Sequence, residues 1–259
     1  MTRLDVFLVD NQYFSTRNKA QMAITNGDVS VNGKTVTKNG FEINEEDVVA
    51  VIDSLKYVSR SGLKLEQALK SFKVEVNGKI ALDIGASTGG FTDCLLQNGA
   101  AFVYSLDVGR NQLAKALRNN PLVESREGIN CRYLNKNDFS KELDLVVMDV
   151  SFISCTLMFG AISNLLSSTK EVVVLIKPQF EVGPQYINKH GIATNQQAVL
   201  ASIKNCIEVA RKNNLFVQDI VISSVKGREG NQEYLAYFIK DGKNNEIALK
   251  SRLNRRGVK

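Results

Sequence analysis

Asp149 and Lys177 each close an apolar run, LDLVVMD and VVVLIKP, Glu233 opens another in GNQEYLAYFIK, and Lys64 lies in the first turn of SGLKLEQALKSF. Ligands of open α/β sheets bind beyond the carboxyl ends of the parallel strands, so polar residues that end such runs share one edge. Two ammonium groups among two carboxylates there could orient a poor nucleophile such as a hydroxyl, help remove its proton and steady the charge that develops. Each residue alone reads as an ordinary charge at the end of an element. The weight lies in the set of four.

A second group lies in KIALDIGASTGGFTDCLLQNG, residues 79–99, which reads as a buried strand, a glycine loop and a helix in succession. Gly85, Gly89 and Gly90 allow a sharp turn and a close approach of backbone to a ligand, and the helix that follows offers unpaired N–H groups. The spacing is neither that of pyrophosphate-binding loops nor that of a P-loop, and no lysine follows the last glycine. Asp83 ahead of the loop suits a cationic part of a ligand, and Asp107, ending the run AFVYSLD, is placed to grip ribose hydroxyls. A ligand with a sulfonium, an amino acid end and a ribose but no phosphate fits this arrangement, which suggests S-adenosylmethionine; the alternative reading is an ordinary strand-turn-helix corner.

The positioning elements follow the pattern of a doubly wound α/β sheet. From Ile80 onward, LDIG, FVYSLD, an unclear third strand near 123–125, LDLVVMD, VVVLIKP, FVQDIVISS and YLAYFIK alternate with helical stretches. The last two runs are too close for a crossover helix, so they are expected to be antiparallel, as in the sheet of class I methyltransferases. A helix with Leu65, Ala68, Leu69 and Phe72 on one face, capped by Ser61, precedes the first strand. Residues 1–53 read as a separate small α+β domain: Leu4, Phe7 and Leu8 at helical spacing, a helix capped by Ser15 and stopped at Asn26-Gly27, a hairpin at Asn32-Gly33, and Ile43, Val48, Val49 and Val51 closing the unit. Residues 54–60 form a short linker, and 61–259 the larger domain.

With 259 residues, the chain is long enough for both domains, and its 44% apolar and 23% charged content is that of a soluble globular protein. No run is long enough to cross a bilayer and no signal core opens the sequence, so a cytoplasmic protein without membrane contact is expected. Cys94, Cys131, Cys155 and Cys206 lack metal-ligand spacing and read as free thiols, with no metal site, and His190 lies in a polar loop. The net charge of +6 is unevenly spread. The small domain is acidic, whereas the linker and first helix, with Lys56, Arg60, Lys70 and Lys73, and the C-terminal tail are basic and are candidate polyanion contacts.

STRNKAQMAITNGDVSVNGK resembles the S4 RNA-binding module, which implies RNA contacts at Arg3, Arg17, Lys19 and Lys34. Behind it, SRSGLKLEQAL, LDIGASTGGFTDCLL, LDVG, VMDVSFIS, LIKPQFEVG and GNQEYL, in this order, resemble the TlyA family across nearly the whole chain. Its members are S-adenosylmethionine-dependent rRNA cytidine-2′-O-methyltransferases, also called hemolysins, with an FtsJ-like catalytic domain. The resemblance implies that Lys64, Asp149, Lys177 and Glu233 form a Lys-Asp-Lys-Glu tetrad; on physical grounds Lys177 is assigned as the base and Lys64 as the group that orients the substrate, with the acids holding both. It also implies a cofactor site at Asp83, Gly85 and Gly89, with Asp107 at the ribose and Asn130 at the adenine. Arg110-Asn111 after LDVG and NCRYL depart from the family's pattern. The implied partner is ribosomal RNA or a ribosomal subunit, at a cytidine of 16S or 23S rRNA, and a monomer is expected. A membrane-active hemolysin, a noncatalytic RNA-binding protein and a methyltransferase of protein or small molecules are the rival readings.

Overall fold

The computed structural model describes residues 1–14, 16–51, 56–227 and 229–245. The chain divides into two compact units, Met1–Arg60 and a second that begins at Ser61. The segment 56–60 thus groups with the first unit. The basic tail from 246 onward, Ser15 and residues 52–55 lie outside the described residues.

In the first unit, β1 (Thr2–Arg3) runs into α1 (Leu4–Asp10), followed by α2 (Arg17–Asn26), β2 (Val29–Val31), β3 (Lys34–Thr35), β4 (Glu42–Ile43) and β5 (Val49–Val51). The cap of α2 is Thr16, whose hydroxyl accepts from the Lys19 N–H, not Ser15. Gly27 ends the helix at φ 75°, the left-handed conformation that a Cβ disfavours. Asn32 and Gly33, at φ 51° and 75°, make the tight turn between the antiparallel β2 and β3. Ile43 does not join that sheet: β4 pairs with β1, whereas β5 pairs with β2, and Val48 is exposed outside any strand. Leu4, Leu8, Ala20, Ile24, Val29 and Val31 form the core.

The second unit contains α3 (Ser61–Phe72), β6 (Ile80–Ile84), α4 (Gly90–Gln97), β7 (Phe102–Asp107), α5 (Lys115–Arg118), β8 (Val123–Glu127), β9 (Leu145–Met148), α6 (Phe159–Leu165), β10 (Glu171–Ile176), α7 (Gln196–Lys212), β11 (Leu215–Ile222) and β12 (Tyr234–Lys240). Ser61 is the first helical residue of α3 rather than its cap. The sheet order is β11-β12-β10-β9-β6-β7-β8, with β12 antiparallel to both neighbours and the pairs among β6 to β10 parallel. This is the mostly parallel methyltransferase sheet with one reversed strand that the sequence pattern predicts. The central strands are covered on both faces, so β9 is fully buried along its length and β10 nearly so. Full burial of each such Val or Leu stabilises the fold by about 1.5–3 kcal/mol. The unclear third strand is β8, whose five residues VESRE are all only partly buried, which is why its apolar signal is weak.

Asp5 is the one wholly enclosed acid of the first unit's helices, and it accepts hydrogen bonds from Arg3 (3.0 and 3.1 Å), Arg17 (2.9 Å) and Gln21 (2.7 Å). The bond from Arg3 foremost, with those from Gln21 and Arg17, outweighs burial and holds its pKa far below the ordinary carboxylate range. A depressed folded pKa contributes stability that is present above the unfolded value, ~3.9, and is lost as pH falls through the folded one. Asp5→Asn should therefore destabilise the protein by about 1–3 kcal/mol at neutral pH and flatten the acid limb of its stability profile. Urea unfolding across pH checks both, and a wild-type midpoint with an unchanged acid limb would refute the assignment.

Candidate active site

The loop between β6 and α4 owes its shape to its neighbours. Gly85 and Ala86 both donate their N–H groups to the Leu106 carbonyl, and Gly85 and Gly89 have φ of 84° and 98°. A Cβ on Gly85 would stand 2.5 Å from the backbone oxygen of Asp149, and one on Gly89 would stand 2.3 Å from Leu117 and 2.7 Å from Leu113. The place that a side chain would take at each of these two glycines is thus filled by protein. Gly85 lets the loop pass against the end of β9, and Gly89 lets two leucines close beneath it.

Asp83 is placed differently from expectation. It is fully enclosed below the loop, with one oxygen accepting from the Thr92 hydroxyl at 2.7 Å and the other, Oδ1, without a hydrogen bond. Burial pushes its pKa up to about 7 against the pull of the Thr92 bond, and the Asp149 and Asp107 carboxylates add to the rise. Asp83 shapes the loop from beneath rather than offering a carboxylate at the surface. Asp107 is only partly buried, and its two oxygens accept from the N–H groups of Ser87 and Gly109, each at 2.7 Å. A carboxylate has further lone pairs for two ligand hydroxyls. Asn130 is exposed, and its side-chain oxygen accepts from Arg132, capping the short turn Cys131–Tyr133. Glycine loop, α4 amino end and Asp107 fit the amino acid end and ribose of S-adenosylmethionine.

The four charged residues form two ion pairs. Lys64, on α3 and 8% exposed, donates to Glu233 Oε2 at 2.6 Å across 169 residues of sequence. Lys177 lies 2.6 Å from Asp149 Oδ1 and donates its hydrogen bond to the Ser151 hydroxyl at 2.7 Å. The contact with Asp149 is charge against charge, since Asp149 Oδ1 has no aligned hydrogen bond. The pairs also act on each other. Burial would raise the Asp149 pKa, but Lys177 and then Lys64 bring it below the ordinary value. Burial would lower that of Lys177, but Asp149 and then Glu233 leave it raised. Lys177 therefore rests as an ammonium. Gln67 fastens α3 to the end of β11, donating to the Ile222 carbonyl at 2.8 Å and accepting from Ser224 N–H at 2.7 Å. Gly227 has no Cβ where Glu233 Oε1 lies, 2.6 Å from that position.

In VMDVSFIS the strand-end pattern singles out Asp149 and gives no sign of the residues after it. Ser151 takes the Lys177 hydrogen bond, and Phe152 is 91% exposed at φ 63°, its ring 5.2 Å from that of Phe180. A bulky residue in that conformation is uncommon, but the sequence carries no sign of it. Spacing likewise hid a cluster of Cys155, Cys206 and Glu181, in which the sulfurs lie 3.8 Å apart and the carboxylate accepts from Cys155 N–H and Ser154.

The expected RNA contacts divide. Lys19, Lys34, Lys56, Lys70 and Lys73 are exposed, with Lys70 paired to Glu66 and Lys56 over the Tyr57 ring. Arg3 and Arg17 are half exposed and committed to Asp5. Arg60 is corrected: its side chain is only 13% exposed and faces buried Asp28 at 3.5 Å.

A family model described as FtsJ-like methyltransferase matches residues 57–240, and one described as S4 domain matches residues 2–49. The chain is 44% identical to hemolysin A of Brachyspira hyodysenteriae, over 92% of this chain and 99% of that protein. It is 36% identical to the 16S/23S rRNA (cytidine-2′-O)-methyltransferase TlyA of Mycobacterium tuberculosis, over 91% of this chain and 89% of that one. Among solved structures, a Streptococcus thermophilus protein named as a hemolysin superposes with a TM-score of 0.77 at 37% identity, covering 98% of this chain and 94% of that one. With its reversed-strand sheet and its glycine loop beside Asp107, the chain belongs to the FtsJ-like methyltransferase family, in the TlyA group that carries an S4 domain, and is an S-adenosylmethionine-dependent methyltransferase.

Proposed function

We propose that this protein methylates a ribose 2′-hydroxyl of ribosomal RNA, at a cytidine of 16S or 23S rRNA, and works in the cytoplasm where ribosomal subunits are made. The observation that carries this reading is the pairing Lys64–Glu233 and Asp149–Lys177, joined to the glycine loop where Gly85 meets the Asp149 carbonyl. S-adenosylmethionine supplies an electrophilic methyl group, and the chain's own residues must align a weak nucleophile and accept its proton. Two relatives named as rRNA (cytidine-2′-O)-methyltransferases support the substrate.

In this reading residues 1–53 bind RNA, 54–60 link, and the unit from 61 onward carries the chemistry. Asp107 holds the ribose of the methyl donor. Lys177 takes the proton of the 2′-hydroxyl, Lys64 orients the ribose, and Asp149 and Glu233 keep both ammonium groups in place. Because the carboxylates raise the Lys177 pKa, its neutral form is scarce near neutral pH, and the transfer step should speed up as pH rises toward that value. The name hemolysin A favours a membrane-active reading, yet among the described residues no helix is long and apolar enough to cross a membrane. A noncatalytic RNA-binding role leaves two enclosed ion pairs at the strand ends without a purpose.

Three outcomes test this. Lys177→Ala should lower the single-turnover rate by about 10²–10⁴-fold with cofactor and RNA affinity within a few-fold of wild type, and Lys177→Arg should not rescue it. A wild-type rate that does not climb with pH, together with rescue by Arg, would reduce Lys177 to an electrostatic role. Gly85→Ala should lose both cofactor binding and methyl transfer, because its Cβ must displace the Asp149 backbone and adopt positive φ. Calorimetry with S-adenosylhomocysteine checks it, and wild-type affinity would contradict the joint between loop and strand. For RNA, reversing Lys19, Lys34, Lys56, Lys70 and Lys73 together should weaken binding and flatten its salt dependence, and an unchanged salt slope would move the RNA path elsewhere.

A further inference from the structure

One carboxylate outside this chemistry gathers an unusual number of backbone donors. Glu127, the last residue of β8, accepts from the N–H of Asn111 at 2.6 Å through Oε2, and from those of Gln112 at 2.9 Å and Leu113 at 3.2 Å through Oε1. Arg118 adds a contact at 3.3 Å. These donors, the Asn111 N–H foremost, hold its pKa below the ordinary glutamate value despite the opposing effect of burial.

The segment so held is the loop that leaves Asp107. Asn111 has φ 58°, a left-handed conformation that asparagine adopts more readily than most residues with a Cβ. At the near end of the loop, Gly109 N–H is bonded to Asp107 Oδ1. From the loop after β8, Gly128 N–H donates to the Gly109 carbonyl and Ile129 N–H to that of Asp107, each at 3.0 Å. At its far end, Leu113 and Leu117 fill the space beneath Gly89, and Ala114 N–H donates to the Thr88 carbonyl at 3.2 Å. The loops after β6, β7 and β8 are therefore tied together, and Glu127 is the side chain at which the middle one is anchored.

We infer that Glu127 is a positioning residue for the nucleoside half of the methyl donor: its charge fixes the loop 108–113, and through it the setting of Asp107 and the floor of the glycine loop. This rests on the cofactor assignment of Asp107 and does not touch the Lys177 chemistry. Neutral Gln keeps one acceptor oxygen but loses the charge and the second acceptor, and Ala loses everything.

The test uses the full-length protein with Glu127→Ala, Glu127→Gln and Asp107→Ala, titrated with S-adenosylhomocysteine, together with the KM for S-adenosylmethionine and kcat at saturating donor. Glu127→Ala should weaken S-adenosylhomocysteine by tenfold or more and raise KM to match, with kcat within twofold of wild type and Glu127→Gln in between. A role in folding alone would lower the melting temperature and the active fraction, hence kcat, with KM unchanged, and that pattern overturns the inference. So does a folded Glu127→Ala, or Glu127→Gln should the alanine variant not fold, that binds S-adenosylhomocysteine within twofold of wild type. Wild-type affinity in Asp107→Ala would instead overturn the placement of the ribose, and the inference with it.

Discussion

The missing Cβ at residue 85 ties the two halves of the site together. β6 and β9 are neighbours in the parallel sheet, and the Asp149 carbonyl fills the position that a side chain at 85 would claim, 2.5 Å away. The backbone that leads to the glycine loop and the backbone that presents Asp149 are therefore in direct contact, held further by the Asp149 N–H bond to the Ile84 carbonyl at 3.0 Å. Displacement of either strand end moves the other. Methyl transfer between a bound donor and a bound hydroxyl is sensitive to such displacements, because reacting atoms must be held close and in line.

The same economy of space governs the charges. Two lysines and two acids are taken largely out of water, which is unfavourable for each ion alone and tolerable only because the set is balanced. Asp149 is kept ionised by Lys177 and Lys64 together, and Lys177 is kept protonated by Asp149 and Glu233 together. Removing one member would leave its partner buried without compensation, so the residues act as a unit and single substitutions will not give additive effects. In the proposed reaction this arrangement would set orientation first: an ammonium in a fixed place is a strong hydrogen-bond donor to an oxygen that is gaining charge, and only its minority neutral form can take a proton.

How much of this could be read from the sequence depends on where the information is local. The strands of the sheet, the reversal of β12 and the hairpin at Asn32-Gly33 follow from periodicity and turn residues, which act over a few positions. The residues Lys64, Asp149, Lys177 and Glu233 could be named because strand ends share an edge, but their division into two pairs depends on contacts such as Lys64 with Glu233, 169 residues apart. The glycines were legible as glycines, not in purpose: only the fold brings the Asp149 carbonyl and Leu117 against them. Asp83 is harder to read for a related reason, since a strand residue beside a loop can face inward or outward, and here it faces inward to the buried Thr92 hydroxyl, which is itself bonded to Ser105.

Charge counting failed in the first unit in a way that bears on RNA. Its acidic excess is unusual for a module that meets a polyanion, and its S4 resemblance implies contacts at Arg3, Arg17, Lys19 and Lys34. In the fold, Asp5 is enclosed by Arg3 and Arg17, and Asp28 is enclosed facing Arg60, with burial raising its pKa to about 6. Two of the acids are thus withdrawn from the surface, each taking with it some of the cationic charge that the sequence seemed to offer. Arg3 and Arg17 stay half exposed while bonded to Asp5, and further exposed positive charge lies on lysines, Lys19, Lys34, Lys38 and Lys56 among them. Lysine meets phosphate as a point charge without the two-pronged geometry of arginine, so contacts of this kind give affinity and salt dependence more than sequence reading.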